Sequence, residues 1–350
     1  MKELKNIAVI FGGCSSEYNI SLESAYSVIR NLDREKYEPV LIGISREGDW
    51  FYYSGDVEKI RADSWHNSSD CIPACLSQSR SMHCLFVFEK EGVRQVPVDA
   101  AFPVLHGKNG EDGTVQGLIA LAGIPLVGCG ILASALCMDK DRAHKLAAAV
   151  GIAVPKAFVA RRETSENAVL TFGEAVGYPL FVKPVKAGSS YGVTKVWDRE
   201  KLLGAVRLAF TYDDHVIVEE NIDGFEVGCA VMGTDDLTVG QVDEIELSGG
   251  FFDFTEKYTL KTSAIHVPAR VAPGKAHEIR ETAKRIYKAL DCSGFARVDL
   301  FLTPEGRIVF NEVNTIPGFT EHSRFPGMMK AAGISFQEIL DRIIGEAVGA

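Results

Sequence analysis

Two runs near the end of the sequence carry acids, an amide and an arginine at a spacing suited to gathering charge on one surface. They are Ala296-Arg297-Val298-Asp299-Leu300-Phe301-Leu302 and Arg307-Ile308-Val309-Phe310-Asn311-Glu312-Val313-Asn314, joined by Thr303-Pro304-Glu305-Gly306. Taken as a hairpin with Glu305-Gly306 as a two-residue tip, the runs set Asp299 opposite Glu312 and Arg297 opposite Asn314. Side chains alternate along a strand, so these four share one face, and Val298, Leu300 and Val313 take the other. Two directly opposed carboxylates repel, so positive charge is required between them. Asp299, Glu312 and Asn314 are hard oxygen donors suited to Mg²⁺ bound together with phosphate oxygens. Alternatively, Arg297 neutralises a solvated hairpin face. The pattern allows both.

Four other segments carry groups that could act. Phe181-Val182-Lys183-Pro184-Val185-Lys186 runs into Ala187-Gly188-Ser189-Ser190-Tyr191-Gly192. A small-residue loop after a lysine-bearing strand lets backbone N–H groups approach phosphates, although the composition equally suits a bare turn. It is not the P-loop pattern. Val216-Ile217-Val218-Glu219-Glu220-Asn221-Ile222-Asp223-Gly224-Phe225-Glu226 is a strand–connector–strand hinge. Its backbone could meet an adenine edge and Glu226 a ribose, or it is simply an acidic loop. Gly12-Gly13-Cys14-Ser15-Ser16-Glu17 opens a helix and could cradle an anion, but it lacks Gly-x-Gly-x-x-Gly. Glu17 could hold an ammonium or favour the helix start through its dipole. His106 begins a glycine-rich loop, His106–Gly113, at a position where α/β domains place active-site loops. Gly249–Tyr258 mixes glycine with aromatics, as a lid or a packed loop would.

These groups need strands and helices to position them. Ile7–Phe11 is a continuous apolar run, the pattern of a doubly covered parallel strand. Pro39–Ile44 and Ala100–Leu105 read as further strands, Ser21–Leu32 and Gly113–Gly123 as helices, and Ser54–Ser81 as an irregular surface segment. Met138–Val150 reads as one helix and Pro179–Lys183 as a strand. Beyond these, Glu226–Met232, Val239–Glu246, Ala296–Leu302 and Arg307–Val313 read as strands, and His277–Leu290 and Phe336–Glu346 as helices. The expected organisation is mixed α/β and α+β: an N-terminal open α/β domain over 1–133, a central domain over 134–225 and a C-terminal domain over 226–350. Its 350 residues suffice for several cores, with 46% hydrophobic and 24% charged residues. A net charge of −10 argues against nucleic acid or an anionic membrane surface as partner. No apolar run reaches the ~18 residues of a membrane span. The short run after Met1-Lys2-Glu3 carries no cleavage pattern, so a cytoplasmic protein is expected. The eight cysteines form no Cys-x-x-Cys pair, so they are expected to be reduced and mostly buried rather than zinc ligands.

Taken together and in order, the motifs resemble the ATP-grasp D-alanine–D-alanine ligase family. They are Gly12-Gly13-x-Ser15-x-Glu17, His106-Gly107 with Gly110-Glu111-Asp112-Gly113, Met138-Asp139-Lys140, Val182-Lys183-Pro184 with Gly188-Ser189-Ser190-x-Gly192, Lys257-Tyr258, Ala296-Arg297-Val298-Asp299, and Asn311-Glu312-Val313-Asn314-Thr315-x-Pro317-Gly318. The resemblance implies an ATP-grasp architecture with ATP between the central and C-terminal domains. Lys140, Lys183, Ser190 and Lys257 would hold its phosphates, and Glu219, Glu220, Ile222 and Glu226 its adenosine. Asp299, Glu312 and Asn314 would bind two Mg²⁺ ions, with Mn²⁺ able to substitute. Glu17 would hold the ammonium of a first D-alanine with His106 near it, and Glu17, Ser189 and Tyr258 would form the triad that joins the lid to the N-terminal domain. Arg297 and the Gly318 N–H would stabilise the tetrahedral oxyanion. The resemblance also implies a homodimer.

Ser323-Arg324 stands where D-alanine-specific members usually carry Ser-Leu or Ser-Met. That departure, with Phe252 in the lid, resembles the vancomycin-resistance branch, and closest the VanG-type D-alanine–D-serine ligases. Lys257-Tyr258 argues for an amine nucleophile, since D-lactate-forming members lose that pair. The implied activity is ligation of D-alanine to D-serine for peptidoglycan precursors, with Ser323 holding the second carboxylate, His322 a weaker candidate for it, and Arg324 and Phe252 shaping the second subsite. The alternatives are a D-alanine–D-alanine ligase of normal cell-wall synthesis, another ATP-grasp carboxylate–amine ligase, a nicotinamide-dependent oxidoreductase and a non-catalytic nucleotide-binding regulator.

Overall fold

The computed structural model describes residues 4–67, 69–188, 191–247 and 263–349. Strand β1 (Lys5–Gly12) is buried from Ile7 onward, as its unbroken apolar run requires. It pairs in parallel with β2 (Tyr37–Ile44) and β7 (Ala100–Pro103). Strands β3 (Trp50–Tyr53), β4 (Cys71–Leu76), β5 (Cys84–Glu89) and β6 (Gly92–Pro97) extend the sheet antiparallel, in the order β6-β5-β4-β3-β2-β1-β7. Helices α1 (Tyr18–Asn31) and α3 (Thr114–Ala122) accompany it, with α2 (Val57–Arg61) against α1. The glycines expected to end α3 do so: Gly113 and Gly123 flank it with φ of 93° and 69°, conformations that favour glycine.

The segment Ser54–Ser81 is not the irregular surface stretch its polarity suggests. It supplies α2 and β4, and it buries Trp65 completely. The indole N–H donates to the Tyr18 hydroxyl at 3.0 Å, and the ring meets Phe11 edge-on. It also fills the space over Gly43, where a Cβ would lie 2.3 Å from it. One large aromatic with a satisfied N–H outweighs many polar neighbours in deciding where a segment sits.

The expected helix Met138–Val150 is α5 (Lys140–Ala149), and a further helix, α4 (Ile131–Met138), precedes it. Asp139 between them is extended, and its carboxylate accepts the Arg142 N–H at 3.1 Å. The cap ends one helix and starts the next, which puts Lys140 at a helix start.

A second sheet, ordered β10-β9-β11-β8, comprises β8 (Ala157–Arg161), β9 (Leu180–Pro184), β10 (Thr194–Val196) and β11 (His215–Glu220). Helices α6 (Glu166–Val176) and α7 (Arg199–Ala209) share its core. A third sheet comprises β12 (Phe225–Met232), β13 (Thr238–Val239), β14 (Asp243–Leu247), β15 (Ser263–His266), β16 (Phe295–Leu302) and β17 (Ile308–Asn314). Its order is β15-β14-β12-β16-β17, with β13 beside β12. The strand expected over Val239–Glu246 is therefore divided between β13 and β14. Helix α8 (Pro273–Ala289) packs on this sheet.

The chain ends with α9 (Arg324–Ala331) and α10 (Phe336–Gly349), which return to the first domain. Phe319, Phe325, Met328, Ile339 and Leu340 join Ile7, Val9 and Leu22 in one buried cluster. The loop after β17 is thus bound into the core of the N-terminal sheet. All eight cysteines are free, and five are buried. Among the described residues, no helix is long and apolar enough to cross a membrane.

Candidate active site

Strands β16 and β17 pair Asp299 with Glu312 and Arg297 with Asn314, the opposition expected from the sequence. The route to that register is different. The turn is not a two-residue tip at Glu305-Gly306. Thr303 N–H donates to the Arg307 carbonyl at 3.0 Å, and Gly306 N–H to the Thr303 carbonyl at 2.8 Å. A bulge between Asp299 and Leu300 then shifts the pairing by one, leaving Asn311 without a cross-strand partner. The two offsets cancel at the acidic face. The free Asn311 carbonyl accepts His144 Nε2 at 2.7 Å.

Positive charge does lie at this face. Arg297 bonds both Asp299 oxygens, Nε to Oδ1 at 2.9 Å and Nη2 to Oδ2 at 2.8 Å. Asn314 Nδ2 donates to Asp299 Oδ2 at 2.9 Å, and Arg324 Nη1 lies 3.3 Å from Oδ1. Lys140 Nζ is 3.7 Å from Glu312 Oε2. Among the described residues, no three His, Cys, Asp or Glu side chains converge as a metal set. Asp299, Glu312 and Asn314 are two carboxylates and an amide that can turn its oxygen inward. Such a set fits magnesium, which takes one or two carboxylates and completes its shell with phosphate oxygens and water.

Beside this face, Lys183 on β9 and Glu219 on β11 form a buried pair with Nζ and Oε2 2.6 Å apart. Burial works against both charges. The Glu219 carboxylate nevertheless holds the Lys183 pKa above its usual value, and Lys183, then His144, hold Glu219 below the usual carboxylate range. Lys140 Nζ donates to the Ala187 carbonyl at 2.8 Å, at the root of the Gly188–Gly192 loop. The hinge acids are engaged too. Glu220 Oε1 accepts the Lys156 N–H at 2.9 Å, and Glu226 Oε1 accepts Arg324 Nη1 at 2.7 Å. Ile222 is half-buried.

The N-terminal loops meet the same region. Glu17 is buried at the start of α1. A Cβ at Gly107 or Gly188 would lie 2.3 or 2.7 Å from Glu17 Oε2, so both loops approach this carboxylate as glycine alone allows. Glu111 accepts the Gly107 N–H at 2.9 Å and the Ile316 N–H at 3.1 Å. Burial, reinforced by the neighbouring Glu17 charge, raises the Glu111 pKa. His106 is fully buried, and its Nε2 lies 3.0 Å from Ser24 Oγ. Burial lowers its pKa to about 4. An unfolded histidine titrates near 6.5, so the unfolded chain binds an extra proton in the window between. Stability should therefore fall with acidification, by about 2 kcal/mol between pH 7 and 5 from this one group. Urea unfolding at the two pH values should show that slope, and His106→Gln should lose it.

In the loop after β17, the Thr320 N–H donates to Ser323 Oγ at 3.0 Å, and a Cβ at Gly318 would sit 3.0 Å from that oxygen. Arg324 opens α9 and is nearly buried. Nε and Nη2 bond the two Asp243 oxygens at 2.7 and 2.9 Å, while Nη1 reaches Glu226. Its guanidinium is thus fully committed to carboxylates. His322 is exposed. Ser189, Ser190, Phe252, Lys257 and Tyr258 lie outside the described residues. Ser24, Glu111, His144 and Asp243 join this region without having been singled out in the sequence. Only Glu111 carried a signal, its place in the glycine-rich loop.

Family models match most of the chain: D-ala D-ala ligase N-terminus over residues 6–129 and D-ala D-ala ligase C-terminus over residues 146–345. The crystal structure of VanG D-Ala:D-Ser ligase from Enterococcus faecalis is 56% identical, with TM-score 0.91, covering 99% of this chain and 100% of that one. The vancomycin/teicoplanin A-type resistance protein VanA of Enterococcus faecium is 46% identical over 343 residues, covering 97% of each chain. A D-alanine–D-alanine ligase of Caldicellulosiruptor bescii is 41% identical over 362 residues, covering 99% of this chain and 96% of that one. The second substrate thus differs between relatives that this chain matches over nearly its whole length, D-serine for the Enterococcus faecalis structure and D-alanine for the Caldicellulosiruptor bescii ligase.

Proposed function

Because the chain belongs to the D-alanine–D-alanine ligase family, with its ATP-grasp fold and its use of ATP and magnesium, we propose that it joins D-alanine to D-serine. The observation that carries the ligase chemistry is the convergence of three chain regions on one place: the Lys183–Glu219 pair, the Arg297–Asp299 face, and the Glu17, His106 and Gly318 loops. In the proposed sequence, the γ-phosphoryl group of ATP passes to the carboxylate of D-alanine, giving ADP and an acylphosphate. The amine of D-serine attacks the acyl carbon, and inorganic phosphate leaves. Such transfers require mainly positioning and cations.

Lys140 and Lys183, with Ser190 and Lys257, neutralise the phosphates, and the hinge from Glu219 to Glu226 holds the adenosine through Glu219, Glu220, Ile222 and Glu226. Asp299, Glu312 and Asn314 would hold two magnesium ions, which supply further neutralisation of the phosphate oxygens. Glu17 takes the ammonium of the first D-alanine, and with Ser189 and Tyr258 it joins the lid to the first domain. Arg297 and the Gly318 N–H meet the negative oxygen of the tetrahedral intermediate. A covered site keeps water from the acylphosphate.

D-Serine is favoured by Ser323-Arg324. The carboxylates of Asp243 and Glu226 fix Arg324, and through it the first turn of α9, where Ser323 meets the second substrate's carboxylate. A rigid polar edge there discriminates for a hydroxymethyl group better than a purely apolar pocket would, and Phe252 is assigned to the same subsite by the family resemblance. Lys257-Tyr258 in the sequence favours an amine over a hydroxy acid. Products would enter peptidoglycan precursors and lower sensitivity to vancomycin. The test is phosphate release with D-alanine plus D-serine, D-lactate or nothing, with products identified by mass. D-Alanyl-D-serine should dominate; dipeptide made from D-alanine alone would favour the D-alanine–D-alanine reading. Arg324→Leu, combined with Asp243→Asn so that the fully buried Asp243 carboxylate is not stranded, should lower the serine-to-alanine ratio by at least about tenfold. An unchanged ratio removes Arg324 from the specificity argument.

A further inference from the structure

We propose that Ser24 is a positioning residue for the condensation step, clamping the loop that carries the Gly318 N–H from both sides together with His106 and Glu111. The clamp rests on the ligase reading of the site, in which that N–H stabilises the oxyanion. Ser24 lies in α1 with no exposure at all, far in sequence from the loop it touches. Its Oγ accepts the Phe319 N–H at 3.2 Å and lies 3.0 Å from His106 Nε2. The Ser24 hydroxyl thus bridges the Phe319 N–H and the His106 ring, tying the loop to the N-terminal domain through two contacts.

The rest of the loop is tied with equal completeness. Ile316 gives its N–H to Glu111 Oε1 at 3.1 Å. Pro317 has no N–H, and Thr320 gives its own to Ser323 Oγ. Among the described residues, the Gly318 N–H is left with no partner between these anchors. An oxyanion donor gains most when it is held in place and unspent before the charge develops. The anchoring side chains come from the N-terminal domain, so that domain serves condensation as well as substrate binding.

The clamp acts on the second step only, and the experiment separates the two. The full-length enzyme is assayed with ATP, Mg²⁺, D-alanine and D-serine. Dipeptide turnover is compared with D-alanine-dependent exchange of bridging and non-bridging oxygens in ATP, which reports reversible phosphoryl transfer. Ser24→Ala should lower turnover about tenfold, while the exchange rate and the KM for ATP stay within about twofold of wild type. Glu111→Gln, which loses an acceptor without changing size, should show the same split and serves if Ser24→Ala does not fold. Equal losses of exchange and turnover, or unchanged turnover in both variants, overturn the clamp. A wild-type chain that neither exchanges nor makes dipeptide overturns the ligase reading itself, and the clamp with it.

Discussion

Replacing Arg297 with alanine should lower dipeptide formation by roughly a hundred- to a thousandfold, the usual loss on removing one oxyanion donor. The guanidinium is fixed before any substrate arrives, since two of its nitrogens bond Asp299. That fixation makes it effective, because no reorganisation is needed as charge develops. It also gives the substitution a second consequence. Among the described residues, Asp299 would keep the neutral Asn314 amide as a donor and Arg324, 3.3 Å away, as its cation. Its buried carboxylate would then bind a divalent cation more tightly, not less. The expected pattern is therefore lost turnover with retained ATP binding and a lower magnesium requirement for that binding. Steady-state assays and equilibrium ATP binding across a magnesium series would reveal it. Turnover within a few-fold of wild type would remove Arg297 from the oxyanion site and leave it a partner of Asp299 only.

Lys183→Met should be the most damaging change to stability as well as to nucleotide binding. It strands the Glu219 carboxylate, which is almost inaccessible to water and whose Oε1, among the described residues, has no hydrogen-bond partner, His144 Nδ1 lying 3.5 Å away. Breaking a buried pair by removing one partner costs roughly 3–5 kcal/mol, whereas replacing both partners by neutral groups is often close to harmless. Lys183→Met with Glu219→Gln should therefore recover most of the stability lost by the single variant, but not the affinity for ATP, expected to be at least about tenfold weaker in both. Thermal unfolding and ATP titration of the two variants give the comparison. If the double variant unfolds as readily as the single one, the pair is not the source of the loss. The depressed Glu219 pKa adds a pH signature. Its contribution is present above the usual carboxylate range and disappears as acidification protonates the folded carboxylate, so the wild-type advantage over the double variant should shrink at low pH.

Strand alternation made Arg297 with Asp299, and Glu312 with Asn314, legible as same-face pairs, but their opposition depends on register. The tip was misplaced, yet Asp299 and Glu312 oppose each other because the bulge at Asn311 restores the offset. The capping glycines of α3 were legible for a similar reason, since their signal is local. What stayed hidden depends on distant chain. Nothing in the neighbourhood of Asp243 announces that Arg324 will reach it from eighty-one residues away. Nor does the polar stretch around Trp65 disclose that its indole is buried over Gly43. The Asp139 cap of α5 lay within reach, since aspartate ahead of a helical run is a cap signal, whereas the preceding α4 was not read. The individual roles in the chemistry came from the family resemblance, which supplies what neither alternation nor composition encodes.

The crowding around Arg324 constrains the order in which this site could have been assembled by mutation. A Cβ at position 228 would lie 2.3 Å from Arg324 Nη2 and 2.5 Å from Asp243 Oδ1. An ancestor with any side chain at 228 could not have gained arginine at 324 in this conformation by one step, because the newcomer would meet that side chain before reaching its acids. A side chain at 228 would crowd the guanidinium, and a buried carboxylate at 243 is costly until arginine pairs with it, so glycine at 228 comes early and positions 243 and 324 are coupled. Once arginine is seated, any side chain at 228 must displace it or Asp243, so change at 228 is coupled to change at 324 or 243. The history of substrate choice at this site would then proceed by linked substitutions.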